Sequence, residues 1–499
     1  MTQTTQTKNN QKWVLPILAA LIGGFMSILD SSIVNVAISK MMQVFNTTAS
    51  QIEWVVTVYM LALGVVIPFS SWAGDKFGYK KLYIFALSMF TFGSFLCAIS
   101  WSVNSLIISR VIQALGGGLL MPTMMTMVKK IVPAGSFGTA MGIVGVALLI
   151  APALGPTIGG YLVEYVDWKW IFTINIPIGI IGIILSVFLL PKFEKLKVEK
   201  LDLGGAVTAV IMLFSLLLAL SKGSDWGWTS GTTILLLLIS LAAFGMFLFL
   251  ELRLKNPLLN IRVFKNRNFT AANITTFITT VGLFSGIFFV PLFLQNIKGL
   301  GALDTGLIML PGALVSGLLM PVIGKLYDKT GPKPLAIFGI ISLAYTTYML
   351  HGIDVTTSNS KIIYWMVLRG ISMAFAAVSA QAASLDSVTN SEVGAATAIS
   401  NIISRVSGSL GIAALTSILT SRTIHYAAQI STGLMSAGKT VTSQTARIQD
   451  VAFVKGLEDV FLAASALTIF GLIPALFLKK ASKAPEEKVM DTDSIGLDM

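Results

Sequence analysis

Ser71-Trp-Ala-Gly-Asp75-Lys76-Phe-Gly78-Tyr-Lys80-Lys81 is followed, a little over 250 residues later, by Gly324-Lys-Leu-Tyr-Asp328-Lys329-Thr-Gly331-Pro-Lys333. Acid, base, glycine and lysine recur at equal spacing. Each stretch is a short polar turn between two apolar runs, and each is followed by an arginine set inside an apolar run, Arg110 and Arg369. Such self-similarity is the mark of an internal duplication, a common way of building membrane transporters. The two halves of the chain therefore read as related units.

Working outward, the 499 residues are 55% hydrophobic and 12% charged, with a mean hydropathy of +0.81. A soluble domain carries about a quarter charged residues, so a water-soluble fold is excluded. A bilayer core about 30 Å thick needs roughly 20 apolar helical residues to cross it. Runs of that kind fall near 13–38, 52–74, 82–101, 104–128, 138–163, 168–190, 203–221, 231–250, 270–295, 302–324, 333–351, 361–385, 395–420 and 457–478. The expected fold class is an all-α membrane protein with fourteen transmembrane helices. With the N-terminus inside, the segments on the inner side hold 23 basic residues and those on the outer side 9. Basic residues are retained on the cytoplasmic side, so both termini are expected there, in a multi-pass protein of the plasma membrane. The net charge of +12 is thus a topology signal, and no nucleic-acid partner is needed to explain it. The first run exceeds 20 residues and lacks a small-x-small end, so no cleavable signal peptide is expected. Cys97 is the single cysteine, which excludes an intrachain disulfide, and no metal site is expected.

Further pieces give the duplication a frame. They are Leu29-Asp30-Ser-Ser-Ile-Val-Asn35 in run 1, Arg110-Val-Ile-Gln113-Ala-Leu-Gly116 in run 4, Gly155-Pro156-Thr-Ile-Gly159-Gly160 in run 5, and Trp168-Lys-Trp170-Ile-Phe-Thr-Ile-Asn175-Ile-Pro177 opening run 6. Together with the Asp75 to Lys81 loop they resemble the major facilitator superfamily, in its fourteen-helix drug:proton antiporter branch of EmrB/QacA type. The likeness covers nearly the whole chain. Ser71 and Ala151 stand where that branch usually has glycine, and Val406 where it usually has glutamine. The resemblance implies a major facilitator fold: a tail at 1–12, a six-helix bundle at 13–200, two inserted helices at 201–260, a second six-helix bundle at 261–480, and a tail at 481–499.

Asp30 is the strongest functional candidate, because it interrupts an otherwise charge-free helix where an ionised carboxylate is costly. Such a group can load and release a proton. Its depth, about 12 Å from the outer end at 1.5 Å per residue, is close to that of Arg110 at about 9 Å. If runs 1 and 4 are neighbours the two can pair, and a cationic cargo displacing the proton would make the two occupants mutually exclusive. A static buried pair that fixes packing is the plainer alternative. Asp75, Lys76, Gly78, Lys80 and Lys81, with Asp328 and Gly331, are candidates for a conformational latch; ordinary inside-positive charge accounts for the lysines alone. In run 5, Pro152, Gly155, Pro156, Gly159 and Gly160 combine small residues for close approach with helix-bending prolines, and the segment is suited to seal one face between the bundles. Trp54, Tyr59, Gln113, Asn175 and Arg405 are candidates for a substrate cavity, against the plainer reading that they face lipid or core. For Arg405 that plainer reading is an arginine bonded to exposed backbone carbonyls.

Gly433-Leu-Met-Ser-Ala-Gly438-Lys439-Thr440 fits the phosphate-loop pattern letter for letter. That motif works only between a buried strand and a helix, and no strand pattern precedes it, so no nucleotide partner is expected. No inner loop is long enough for an ATPase domain. The expectation is a secondary exporter without cofactors, not an enzyme, exchanging protons for lipophilic, cationic or neutral compounds across the bilayer. An importer of a small metabolite on the same fold is the second reading. A membrane-embedded transferase is the third, and it lacks the clustered acids or histidines such an enzyme would carry.

Overall fold

Lipid offers no hydrogen-bond partners, so a chain this apolar must satisfy its backbone within helices. The computed structural model describes residues 13–133, 135–195, 201–254, 257–436 and 445–480, and these contain no strand. The helices are α1 (Val14–Phe45), α2 (Ala49–Val66), α3 (Phe69–Phe77), α4 (Tyr79–Ala98), α5 (Val103–Ile131), α6 (Phe137–Tyr165), α7 (Trp170–Thr173), α8 (Asn175–Leu189), α9 (Leu203–Trp226), α10 (Gly231–Arg253), α11 (Arg267–Asn296), α12 (Ala302–Thr330), α13 (Pro332–Met349), α14 (Asn359–Asp386), α15 (Val393–Ser436), α16 (Thr445–Phe470) and α17 (Leu472–Ala475). Thirteen helices are long and apolar enough to cross a membrane, and the pair α2–α3, bent by 55°, makes a fourteenth span. The protein is a multi-pass membrane protein.

Three boundaries differ from the sequence reading, each for a physical reason. The second run is broken at Ile67-Pro68, because a proline has no N–H to donate to the preceding turn. Helix α1 continues to Phe45, where Asn46 closes it in a left-handed conformation at φ 47°. Helix α15, expected to stop at 420, runs 44 residues to Ser436, about 66 Å at 1.5 Å per residue. Hydropathy falls at Ser421-Arg422-Thr423, but helicity does not. This polar extension packs on α16, where Asp459 accepts from the Tyr426 hydroxyl at 3.0 Å and pairs with Arg422 at 3.2 Å. What reads as an irregular loop is largely a helical hairpin.

The two quoted repeats are the tight turns α3–α4 and α12–α13. Gly78 and Gly331 hold φ of 91° and 81°, a region where a β-carbon is strained, which explains why glycine recurs there. Helices α1–α8 pack among themselves, as do α11–α17, and the inserted α9 lies on both α2 and α15. Lys222 of α9 joins Glu53 and Asp225 in ion pairs at one end of that contact, while Leu217 and Leu218 pack on Leu61 and Trp54. The core is continuous across both helix sets only in the half that carries the two chain ends: Met141 and Phe137 share it with Met320, Tyr327 and Val393. In the opposite half each set has its own separate core, one around Ile33, Val34 and Phe172, the other around Phe289, Phe293 and Phe461. The apolar cores of the two bundles merge at one face only, although α6 and α12 stay in contact along their whole length.

Candidate functional site

Asp30 stands close to the middle of α1, roughly 22 Å from either end by helical rise. Its Oδ2 receives Arg110 Nη1 at 2.5 Å, and its Oδ1 receives Gln113 Nε2 at 2.8 Å and Asn175 Nδ2 at 2.9 Å. Gln113 follows Arg110 by three residues on one face of α5, so its Oε1 also accepts from the same guanidinium at 2.5 Å. Gln113 Nε2 further donates to Ser94 at 2.7 Å. The Tyr59 ring covers the guanidinium at 3.7 Å, with Phe172 at 5.6 Å on another side. Asp30 is 0% and Arg110 1% exposed. Burying this pair is tolerable only because every acceptor and most donors are met.

The structure here corrects one expectation and relocates three candidates. Asp30 is sealed from solvent in this state, so a proton and a cargo cannot compete directly at that carboxylate here. Gln113 and Asn175 are members of the Asp30 network instead of cavity walls. Trp54 packs on the inserted helix α9 rather than on a central cavity. A hydrophilic residue beside a charge in an apolar helix was the available signal for Gln113; Asn175 comes from α8, and nothing local links it to Asp30.

The latch candidates divide unequally between the repeats. Asp328 Oδ1 accepts the Gly138 N–H at 2.8 Å, and Oδ2 accepts the Thr139 N–H at 3.0 Å and the Thr139 hydroxyl at 2.8 Å. These are the exposed donors at the start of α6, whose own N-cap Ser136 leaves them unmet. An acid from one bundle thus caps a helix of the other. Asp75, the corresponding latch candidate of the first repeat, instead accepts from Tyr79 within its own bundle at 2.8 Å. Lys76 lies over Trp72, and Lys80 donates to the Val187 and Leu190 carbonyls at the end of α8. Lys81 is exposed. The Tyr79 hydroxyl and Ser71 abut Gly394 at the start of α15. Lys129 and Asp386 add a cross-bundle ion pair at 2.7 Å on the same face. Among the described residues every hydrogen bond and ion pair between the two bundles lies at this face.

Helix α6 runs against α12 from end to end. Gly138 faces Gly324, Gly142 faces the Met320 carbonyl, and Gly160 faces Leu303 at 3.7 Å, so a side chain at either of the first two positions would collide with backbone. Gly155 and Gly159 instead admit Ser32 and Ile33 of α1. Pro152 and Pro156 line a cavity shared with α11, α12 and α14, which Arg369 also reaches. Arg369 has no carboxylate partner among the described residues; it donates to the Gly282 and Leu283 carbonyls and to Thr347 and Ser285. The carbonyl-bonded arginine is therefore Arg369. Arg405 is half-buried and makes no hydrogen bond or ion pair among the described residues.

A second cavity, whose polar lining the sequence reading did not single out, lies between α11, α13, α14 and α15, with Met125 of α5 as its far wall. Thr276, Thr279, Gln381, Thr397, Ser400 and Ser404 supply its polar lining. The signal was present as Thr397, Ser400, Asn401 and Ser404, polar residues at helical spacing in an apolar span. Each cavity has about 140 Å³, room for one ring and not for a drug-sized molecule.

The family model described as Major Facilitator Superfamily matches residues 20–412. The chain belongs to the major facilitator superfamily. It is a transporter by family, not an enzyme. This superfamily member is 33% identical to the uncharacterized MFS-type transporter YhcA of Bacillus subtilis (strain 168), over 96% of this chain and 95% of that one. It is 32% identical to the lincomycin resistance protein LmrB of Listeria monocytogenes (strain EGD-e), over 94% and 97%. Its fold matches that of the proton:xylose symporter XylE at a TM-score of 0.63, with 13% identity, over 95% of this chain and 97% of that one. The phosphate-loop decoy falls partly outside the described residues; Gly433–Ser436 end a helix, not a strand.

Proposed function

We propose that this protein is a secondary exporter of lipophilic, drug-like compounds, driven by the proton gradient and working by alternating access in the plasma membrane with both termini cytoplasmic. The observation that carries the reading is the Asp30 network: the lone carboxylate at mid-membrane among the described residues, held by the guanidinium and two amides of α5 and α8. Neutralising Asp30 with a proton removes the charge that Arg110, Gln113 and Asn175 converge on, and thereby weakens the joint between three helices. The interlock at the end-bearing face supplies the other half of the cycle, since a face that closes by capping and ion pairs can also open. Resistance-protein relatives support export over import.

Inside-out vesicles test this directly. An acidified lumen is expected to drive accumulation of a lipophilic probe without ATP, and Lys439→Ala is expected to leave the rate unchanged; a requirement for ATP would reject the reading. Cysteines introduced one at a time near position 197 are expected to react with impermeant reagents only from the cytoplasm. Cys97 is fully buried, so it adds no background. Labelling from outside would invert the orientation.

A further inference from the structure

We infer that the cargo carries an anionic oxygen group, such as a carboxylate, phosphate or sulfonate, and that Arg405 is the residue that binds it. The inference rests on the export reading and narrows its substrate class. It departs from the cationic or neutral cargo suggested by the sequence.

Among the described residues, the middle of the membrane-spanning bundles holds three guanidiniums, Arg110, Arg369 and Arg405, against the single carboxylate of Asp30. Arg110 is neutralised by that carboxylate. Arg369 is fully buried and its donors are taken by two carbonyls and two hydroxyls. Arg405 alone keeps its donors available, since it has no hydrogen bond or ion pair among the described residues and is only half-buried. An unpaired charge at this depth is expensive, and ionisable groups kept there mark a substrate or ion path. A guanidinium offers a planar fork of N–H donors that matches a carboxylate or phosphate with two parallel bonds.

The surroundings agree. Arg405 follows Ser404 on α15, the helix whose Thr397, Ser400 and Asn401 line the polar cavity. That lining holds hydroxyls, amides and apolar groups, and no carboxylate that would hold a cation. A cation about 6 Å from Arg405, at an effective dielectric near 20, loses about a hundredfold in binding, and an anion gains as much. Across the interface stands Tyr59, in electrostatic range of Arg405 and with its ring on Arg110. Tyr59 therefore stands between Arg405 and the Asp30–Arg110 pair, which it meets through its ring.

Fluorescein and rhodamine 6G give a matched test, because they share a ring system and differ in charge. Equilibrium binding to the purified full-length protein, read by fluorescence polarisation with no gradient present, is expected to favour fluorescein at least tenfold. Arg405→Gln is expected to weaken fluorescein at least tenfold while leaving rhodamine 6G within twofold. Arg405→Lys, which keeps the charge and loses the fork, is expected to fall between, and Arg405→Glu to reverse the order. Wild-type preference for rhodamine 6G, equal weak binding of both dyes, or fluorescein binding unaffected by Arg405→Gln would overturn the inference. Selective fluorescein binding without proton-driven transport would reject the export reading alone, and proton-driven transport of the cation in preference to the anion would reject this inference alone.

Discussion

Asp30→Asn is expected to lower proton-driven accumulation in inside-out vesicles at least a hundredfold while leaving the dye-binding site occupied. The side chain keeps its size but loses the charge on which Arg110, Gln113 and Asn175 converge. It also turns an amide toward a guanidinium that donates and cannot accept. Arg110 is then a buried cation without a counter-charge, a situation that costs roughly 3 to 5 kcal/mol when one partner of such a pair is removed. Loss of folding would mimic loss of coupling, so the charge-neutral double variant Asp30→Asn/Arg110→Gln is the decisive companion. It removes the pair without stranding a charge, and replacement of a buried pair by neutral groups is often tolerated. The double variant is expected to run as a monodisperse peak in detergent with a melting temperature near wild type, and still to show no uphill accumulation. Accumulation retained by either variant would reduce the pair to a packing device and move the proton site elsewhere.

Much of this arrangement is visible in the sequence because the membrane makes it so. Where lipid is the solvent, length and hydropathy determine the spans, and a charged residue among them stands out as costly, so it marks either a partner, as for Asp30 and Arg110, or a site. The equal spacing around Asp75 and Asp328 likewise reflects a backbone demand, a left-handed glycine three residues after the acid. Where the solvent changes, the signal fails. Beyond Thr420 helix α15 leaves the apolar environment, and what keeps it helical is contact with α16, including Asp459 beneath Arg422 and Tyr426, which no local pattern announces. Non-local partners fail for the same reason. Asn175 reaches Asp30 across 145 residues, and Asp328 reaches Thr139 across 189. The repeat says that the two acids are alike; only packing decides that one caps the opposite bundle and the other bonds within its own.

That inequality yields the sharpest test of the latch. Asp328→Ala is expected to open the end-bearing face far more than Asp75→Ala does. Asp328 meets two backbone N–H groups and one hydroxyl of α6, at the N-terminal turn where the helix dipole favours a negative charge. Losing it leaves those donors beside the α12 backbone with no acceptor, because Ser136 does not cap them and Gly138 is pressed against Gly324. With hydrogen bonds to a charged group near 1.5 to 3 kcal/mol each and caps near 1, a net loss of about 2 to 4 kcal/mol is a fair expectation for the set. That shifts the balance between closed and open states by roughly 30- to 1,000-fold. Asp75→Ala removes one bond to Tyr79 inside a single bundle and leaves the Lys129–Asp386 pair and the α6 cap in place. Its expected shift is about tenfold at most. A cysteine placed at Ser404, on the cavity wall, reports the balance through its rate of reaction with an impermeant reagent applied to the end-bearing face. The rate should rise steeply with Asp328→Ala, fall back when Asp328→Asn restores one acceptor, and scarcely move with Asp75→Ala. Equal rates for the two alanine variants would mean that both repeats latch alike, and that the cross-bundle cap on α6 does not hold this face closed.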